Sequence, residues 1–388
     1  MEHYLRDLML SLSKRGIDNA ALVHQSDITV GSSAENYESQ GQRLSITRAA
    51  VWARLLFTPI SPSFGWLLSR AINQQQPDIL HIHMPNVSAF WALLLPRARR
   101  IPWVVHWHSD VLASKHSLGL RLFYTFYSPF ERALLRRCRA IIATSAPYLE
   151  TSATLRDFQD KCTVVPLGLD PISLPLLPPD KPLAQQYASL QVLAIGRLTY
   201  YKGFEYLIKA LAELQEVELH LVGTGDRENS LKALTTKLGL AGRVHFHGHL
   251  HQAELAHQFR ACDCLCLPSV ERTEAFGMVL LEAMFFSKAT IVSDLPGSGV
   301  GWVVEGSVTG LKVAPGDSVA LGKSLQILHL DRAKMHALGE AGRARYDRLF
   351  HIDQSSKGVL ECYRAALGGN ADLGNQATHE RREGHDHA

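Results

Sequence analysis

A chain of 388 residues with 46% hydrophobic and 20% charged side chains exceeds one ordinary core and fits two globular domains. No apolar run reaches the ~20 residues that span a bilayer, and the first residues lack the basic-then-apolar design of a secretory signal. These features predict a cytoplasmic protein; the formal net charge is +3.

The chain opens with a helical stripe, Tyr4, Leu5, Leu8, Met9 and Leu12, and Gly16 stands where a C-terminal cap belongs. Short apolar runs follow at Ala20–His24, Ile79–His83, Trp103–Trp107, Ala140–Thr144 and Thr163–Leu167. Longer helical or turn-rich segments separate them, which predicts a parallel sheet with helices on both faces. Between Arg97 and Arg139 nine basic residues (Arg97, Arg99, Arg100, Lys115, Arg121, Arg132, Arg136, Arg137, Arg139) face two acids, Asp110 and Glu131, a net +7. Such a stretch is either a solvated basic face or a contact with an anionic membrane, where each cation contributes roughly 1 kcal/mol. No nucleic-acid motif accompanies it.

Five prolines in the twelve residues Pro171–Pro182 exclude a helix and suit a stiff linker. A second alternating series then runs through Val192–Ile195, Glu218–Val222, Val244–His247, Cys264–Leu267 and Thr290–Ser293. A helix is expected over 350–367, and the polar, Gly-rich 368–388 is expected to be disordered. The division is therefore 1–170 and 187–349 as doubly wound domains, with 171–186 between them. The six cysteines, Cys138, Cys162, Cys262, Cys264, Cys266 and Cys362, include no CxxC pair. The alternating Cys262–Cys266 run reads as a buried strand face rather than a metal site.

Ligands of doubly wound sheets bind beyond the carboxyl ends of the strands, and two such domains place the default site in a cleft between them. The first strand of the second domain ends in Gly196–Gly203, GRLTYYKG. Arg197 and Lys202 there, before a helix at Phe204–Leu214, suit a diphosphate and the negative charge that grows on it. The next strand runs into Gly223-Thr224-Gly225-Asp226, whose glycines permit close backbone approach. His245, His247, His249 and His251 alternate across the third strand and beyond. Metal ligation by them would need further partners that the sequence does not place, so they read as an exposed strand face. In Glu271–Glu282, ERTEAFGMVLLE, two acids stand eight apart. One continuous helix would put Glu274 and Glu282 on nearly one face, about 12 Å apart. Gly277 instead suggests a loop running into a helix, with free N–H groups for an anion or hydroxyl.

The set GRLxxxKG, GxGD, FxG and E-A-F-G-x-x-x-L-E at these separations resembles the retaining glycosyltransferases of family 4, over nearly all of residues 1–366. Val104–Asp110, Pro166–Asp170 and Gly297–Val303 bring it closest to the bacterial group acting in O-antigen and surface-polysaccharide assembly. The resemblance implies an α/β GT-B fold of two Rossmann-like domains facing across a cleft, with Phe350–Leu367 crossing back onto the first. It implies that Arg197 and Lys202 bind the donor diphosphate and that Glu274, with the backbone around Phe276, Gly277 and Met278, holds sugar hydroxyls. Glu282 would take the ribose hydroxyls, Gly196, Gly223 and Gly225 would line the donor, and Gly248 and Leu250 would border the base. His108 would reach the donor sugar as a positioning group.

The donor would be a GDP- or UDP-sugar, mannose favoured, with no metal or other cofactor. The acceptor would be lipid-linked or a glycan, met at the inner face of the cytoplasmic membrane. Transfer with retention would let the leaving phosphate take the acceptor's proton. A nucleotide-sugar epimerase on the same fold is disfavoured by the acidic run beside GRLxxxKG. The family normally begins with a strand and a Gly-Gly loop before the helix that opens this chain. The expectation is therefore a start placed too late or a truncated copy, with impaired transfer and mere sugar-nucleotide binding as the alternative function. Ser287 and Ala289 replace a Gly and a Pro common after the second acid.

Overall fold

The computed structural model describes residues 2–39, 41–55, 58–111, 118–173 and 189–368, and its chain divides into two units. One comprises Met1–Thr144, Ser152–Pro166 and the chain from Ile352 onward; the other comprises Ser145–Thr151 and Leu167–His351. A boundary at 170 thus misses the short helix Ala146–Thr151, which belongs to the second unit. That segment is held by Arg272, whose guanidinium donates to the Tyr148 carbonyl at 3.0 Å and lies 3.9 Å over its ring. The linker reading falls mostly on residues 174–188 and the tail reading on 369–388, outside the described residues.

In the first unit the strands are β1 (Ala20–His24), β2 (Ser33–Ser39), β3 (Gln42–Ala49), β4 (Ala53–Leu55), β5 (Thr58–Ile60), β6 (Leu80–Met84), β7 (Trp103–Trp107), β8 (Ala140–Ala143) and β9 (Cys162–Val164). They form not one doubly wound sheet but a three-stranded β1-β3-β2, a β4-β5 pair and a parallel β6-β7-β8-β9. Among the described residues, β1 pairs only with β3 and β6 only with β7. The opening helix Glu2–Lys14 packs Met9 and Leu10 on Leu44 of β3. The helix Ile352–Leu367 lies against that opening helix and against β7 and β8. Buried hydroxyl contacts lock the two helices together, Tyr4 to Ser355 at 2.9 Å and Ser11 to Ser356 at 2.8 Å. The last helix thus returns to the first unit.

The second unit is a six-stranded parallel sheet of β10 (Leu190–Ile195), β11 (Val217–Val222), β12 (Val244–Gly248), β13 (Cys264–Leu267), β14 (Ala289–Ser293) and β15 (Leu311–Val313), in the order β12-β11-β10-β13-β14-β15. The chain starts at the centre, winds outward through β11 and β12, then crosses to β13 on the other side of β10. The topological switch point therefore lies between β10 and β13. Leu190, Val192, Ala194, Leu219 and Leu221 present one core face to Leu207, Ile208, Leu321 and Leu325. Each such fully buried Leu, Ile or Val side chain stabilises by about 1.5–3 kcal/mol. β13 is buried along its whole length, and Cys262, Cys264 and Cys266 are free thiols in the interior.

Loops at the carboxyl edge touch backbone to backbone, and glycine is what permits this. A Cβ on Gly223 would stand 2.0 Å from the Gly196 carbonyl oxygen, and one on Gly225 2.3 Å from that of Leu198. Gly203, at φ +68°, would meet the Pro268 oxygen at 2.1 Å. Gly203→Ala combines a left-handed backbone with that clash and should lower stability by about 2–4 kcal/mol in urea unfolding. Gly242→Ala, which enters open space, should change it by less than ~0.5 kcal/mol. Equal effects would contradict the close-approach account.

Candidate active site

Two loops leave the strands that flank the switch point. The first follows β10, where Gly196 (φ +152°) turns the chain and its N–H bonds the Val222 carbonyl at 3.0 Å. Arg197 is exposed at this strand end. A single turn, Tyr200–Lys202, then brings the Lys202 side chain back over Gly196, so that a Cβ there would lie 3.0 Å from the lysine's Cε. The following helix is shorter than the sequence suggests, Phe204–Ala210 with a 3-10 turn Leu211–Glu213.

The second loop follows β13 and carries Glu274. Its oxygen Oε2 accepts from the Lys202 ammonium at 2.5 Å and from the Ser269 hydroxyl at 3.2 Å. Both charged side chains are only 12% exposed. Burial acts to lower the pKa of Lys202, but attraction to Glu274 and Tyr201 and the hydrogen bond to Glu274 outweigh it, leaving the pKa raised. The ammonium therefore stays charged in a low-dielectric setting, where a ligand anion would feel it strongly.

Glu274 is not on the helix that holds Glu282. Gly277, at φ +79°, precedes the helix Met278–Phe285, so the one-helix reading of the two acids gives way to the loop-into-helix one. The loop is pinned from behind by the turn Gly297–Val300. The Gly299 N–H donates to the Ala275 carbonyl at 2.7 Å, the Ser298 hydroxyl donates to that of Glu274, and Arg272 donates to that of Gly297 at 2.8 Å. Phe276 points into the core against Phe350 and Trp302, which leaves its backbone, with that of Gly277 and Met278, as the part a ligand could meet. Glu282 sits partly exposed one turn into the helix, and burial pushes its carboxyl up to about 7.

The Gly223–Gly225 loop lies against Gly196–Leu198, with the Leu198 N–H on the Thr224 carbonyl at 2.9 Å. The Gly223 N–H in turn bonds the Gly248 carbonyl at 2.7 Å. A bulge between Leu221 and Val222 brings Gly248 (φ +67°) into register at the end of β12, two residues before Leu250. The structure thus brings Gly196, Lys202, Gly223, Gly225, Gly248 and Glu274 to one edge of the second unit.

His108 belongs to the first unit, just past β7, and its N–H bonds the Met84 carbonyl at 3.0 Å. Its Nε2 meets Nδ1 of His83 at 2.9 Å, and its ring stacks on His106 at 4.4 Å. Burial first, then the neighbouring imidazoles of His83 and His81, hold its pKa well below the usual histidine range. It is a neutral imidazole, suited to hydrogen bonding rather than to charge. The partner His83 was missed from sequence, although alternation in His81-Ile82-His83 and His106-Trp107-His108 is the signal that would have found it.

The Glu282 carboxyl titrates higher in the folded chain than in the unfolded one, so its stabilising contribution is complete below about pH 4.5 and is lost as pH rises through about 7. Glu282→Gln removes that loss. Urea midpoints at pH 5 and pH 8 should show the variant gaining on the wild type by roughly 1–3 kcal/mol as pH rises. A pH-independent difference would contradict the burial argument.

Comparison with known proteins identifies the family. Residues 1–168 match the model of glycosyl transferase 4-like domains, and residues 182–345 that of group 1 glycosyl transferases. The chain is 26% identical over 383 residues to the O-antigen chain mannosyltransferase C of Escherichia coli, covering 95% of this chain and 94% of that one. It is 30% identical over 323 residues to the phosphatidyl-myo-inositol mannosyltransferase of Mycobacterium leprae, covering 80% and 79%. The sucrose-phosphate synthase of Thermosynechococcus elongatus superposes with a TM-score of 0.77 at 24% identity, over 93% of this chain and 92% of that one, and shares its fold. The chain is a glycosyltransferase of the GT-B fold and belongs to the group 1, family 4-like glycosyltransferases.

Proposed function

We propose that this enzyme transfers a hexose, mannose in the favoured reading, from a nucleotide diphosphate sugar to a lipid-linked or glycan acceptor in surface-polysaccharide assembly, with retention of configuration. The observation that carries the proposal is the Lys202–Glu274 pair on the two loops that flank the switch point. One end of that pair suits a diphosphate and the other suits sugar hydroxyls, and a donor would exchange the internal contact for contacts to itself. Arg197, at the same strand end, supplies a second cation.

In the transfer the bond from the anomeric carbon to the phosphate oxygen breaks while the acceptor oxygen bonds that carbon on the same face. The acceptor's proton passes to the departing phosphate, so no protein nucleophile is needed. Negative charge grows on the phosphate toward the transition state, where Lys202 and Arg197 act most strongly. Glu282 serves the ribose. These cations stand in for a metal, so the reading assigns no metal to the step.

The same reading includes contact with an anionic bilayer. No helix among the described residues is long and apolar enough to cross a membrane. Along the helix Leu118–Arg137, Leu122, Phe126 and Phe130 are 66%, 71% and 49% exposed at successive turns. Phe130 stacks on Phe90, beside exposed Trp91 and Leu94, and exposed Arg97, Arg99 and Arg100 follow. Glu131, one of the two acids in the basic stretch, is fully buried with Tyr124 bonded to it at 2.8 Å, so its charge does not offset the surface arginines. An apolar stripe beside cations is the pattern of interfacial binding.

Lys202→Ala should lower kcat at least ~100-fold with a smaller change in donor KM, read from initial rates. A change in KM alone would contradict the transition-state role, and an inverted product anomer by NMR would contradict retention. Chelator should leave the rate of transfer intact. In vesicle flotation, Phe126→Asp and the Arg99→Glu, Arg100→Glu pair should each reduce binding to anionic vesicles. The arginine pair should cost about tenfold or more, with turnover of a soluble acceptor unchanged. Undiminished flotation would remove the membrane part of the reading.

A further inference from the structure

The alternating histidines of β12 have partners on the strand beside them. In the parallel ladder His220 of β11 is paired with His245 of β12, so both side chains share a face, and residues two apart bring Glu218 and His247 onto it as well. The Nε2 of His245 lies 3.1 Å from Oε2 of Glu218, and Nδ1 of His220 lies 3.0 Å from Nε2 of His247. Ligand atoms of Glu218, His220 and His245 all fall within 4.8 Å of one another.

A further set of groups aims these atoms. The amide nitrogen of Gln191 donates to Ser189 Oγ at 2.8 Å, which turns its oxygen toward His220 Nε2 at 2.9 Å. That contact places the His220 proton on Nε2 and leaves the Nδ1 lone pair facing the cluster. The Ser189 hydroxyl occupies Oε1 of Glu218 at 2.9 Å and leaves Oε2 for the cluster. Histidines tied to an amide and carboxylates tied to a hydroxyl are how metal ligands are oriented.

We propose that Glu218, His220 and His245 form a binding site for a divalent first-row transition ion, with His247 or water as the fourth ligand. Tetrahedral zinc with bonds of about 2.0–2.1 Å separates its ligands by ~3.3 Å, close to the 3.1 Å Glu218–His245 contact and within the 4.8 Å that bounds all three ligand atoms. One ion would replace the two shared protons with small side-chain movements. His245 and Glu218 are 38% and 32% exposed, so the ion has a path from solvent, and a carboxylate with imidazoles suits zinc over calcium or magnesium. Bound there, it would clamp the edge strand β12 to β11 and so steady Gly248, which holds the Gly223 N–H at the donor edge. The proposal is independent of the transfer mechanism and assigns the ion no part in it.

The test uses the full chain stripped with chelator. Zn2+ added against a chromophoric chelator should bind with one equivalent at micromolar or tighter Kd and raise Tm by about 3 °C or more. Co2+ should give the intense visible bands of a tetrahedral site. Glu218→Gln with His245→Ala should weaken that equivalent at least ~10-fold, with an unchanged circular dichroism spectrum as proof of folding. The chain has 19 histidines, so equal uptake by wild type and variant would assign the zinc elsewhere and overturn the proposal. Absence of a tetrahedral Co2+ spectrum in the wild type would overturn it without any variant.

Discussion

A buried ion pair, Lys202 to Glu274, sets the terms for the rest of the second unit. Each residue alone would be a poorly solvated charge near the end of a parallel sheet, and the cost of removing one partner of such a pair is typically about 3–5 kcal/mol. The sheet order makes the pair possible. β10 and β13 are neighbours although 72 residues separate the two side chains. The turn after each strand therefore opens at the same place on the carboxyl edge. Glycines at 196, 203, 223 and 225 let the loops approach until only backbone lies between them.

That arrangement also explains why the pair suits transfer rather than stability alone. A hydrophobic pair of similar volume would be as stabilising, whereas a lysine held charged beside a glutamate offers both signs of charge, which the proposed donor, with its diphosphate and polyol, would use. The glutamate is fixed by its own loop, which the Gly297–Val300 turn anchors from behind. Glu282 is treated differently. Burial pushes its carboxyl up to about 7, so near neutral pH it is poised between donor and acceptor of hydrogen bonds.

Much of this was legible in the sequence, for physical reasons. Strands buried on both faces are continuous apolar runs, so Trp103–Trp107 and Cys264–Leu267 fall where the runs predict, and the half-buried Ala20–His24 does too. Charged and glycine residues immediately beyond such runs pointed to the site edge. The pairing of Lys202 with Glu274 was not legible, because only the order of strands in the sheet brings them together. Glu274 was open to misreading as helical, since Gly277 and its left-handed backbone decide where the helix starts. β2 and β3 were missed because a strand exposed along nearly its whole length, such as SAENYES, shows no apolar run. The histidines on β12 looked solitary for a related reason. Their partners Glu218 and His220 lie on the adjoining strand, and cross-strand register is invisible in one chain.

The most direct test of the central claim separates the two ends of the pair by calorimetry with two ligands. Glu274→Gln frees Lys202 from its internal partner but weakens the sugar end. The account predicts that this variant binds the nucleoside diphosphate at least as tightly as the wild type, yet binds the matching nucleotide sugar about tenfold more weakly or worse. Equal loss of affinity for both ligands would contradict it, because Glu274 would then be supporting the fold of the site rather than holding the sugar in exchange for Lys202.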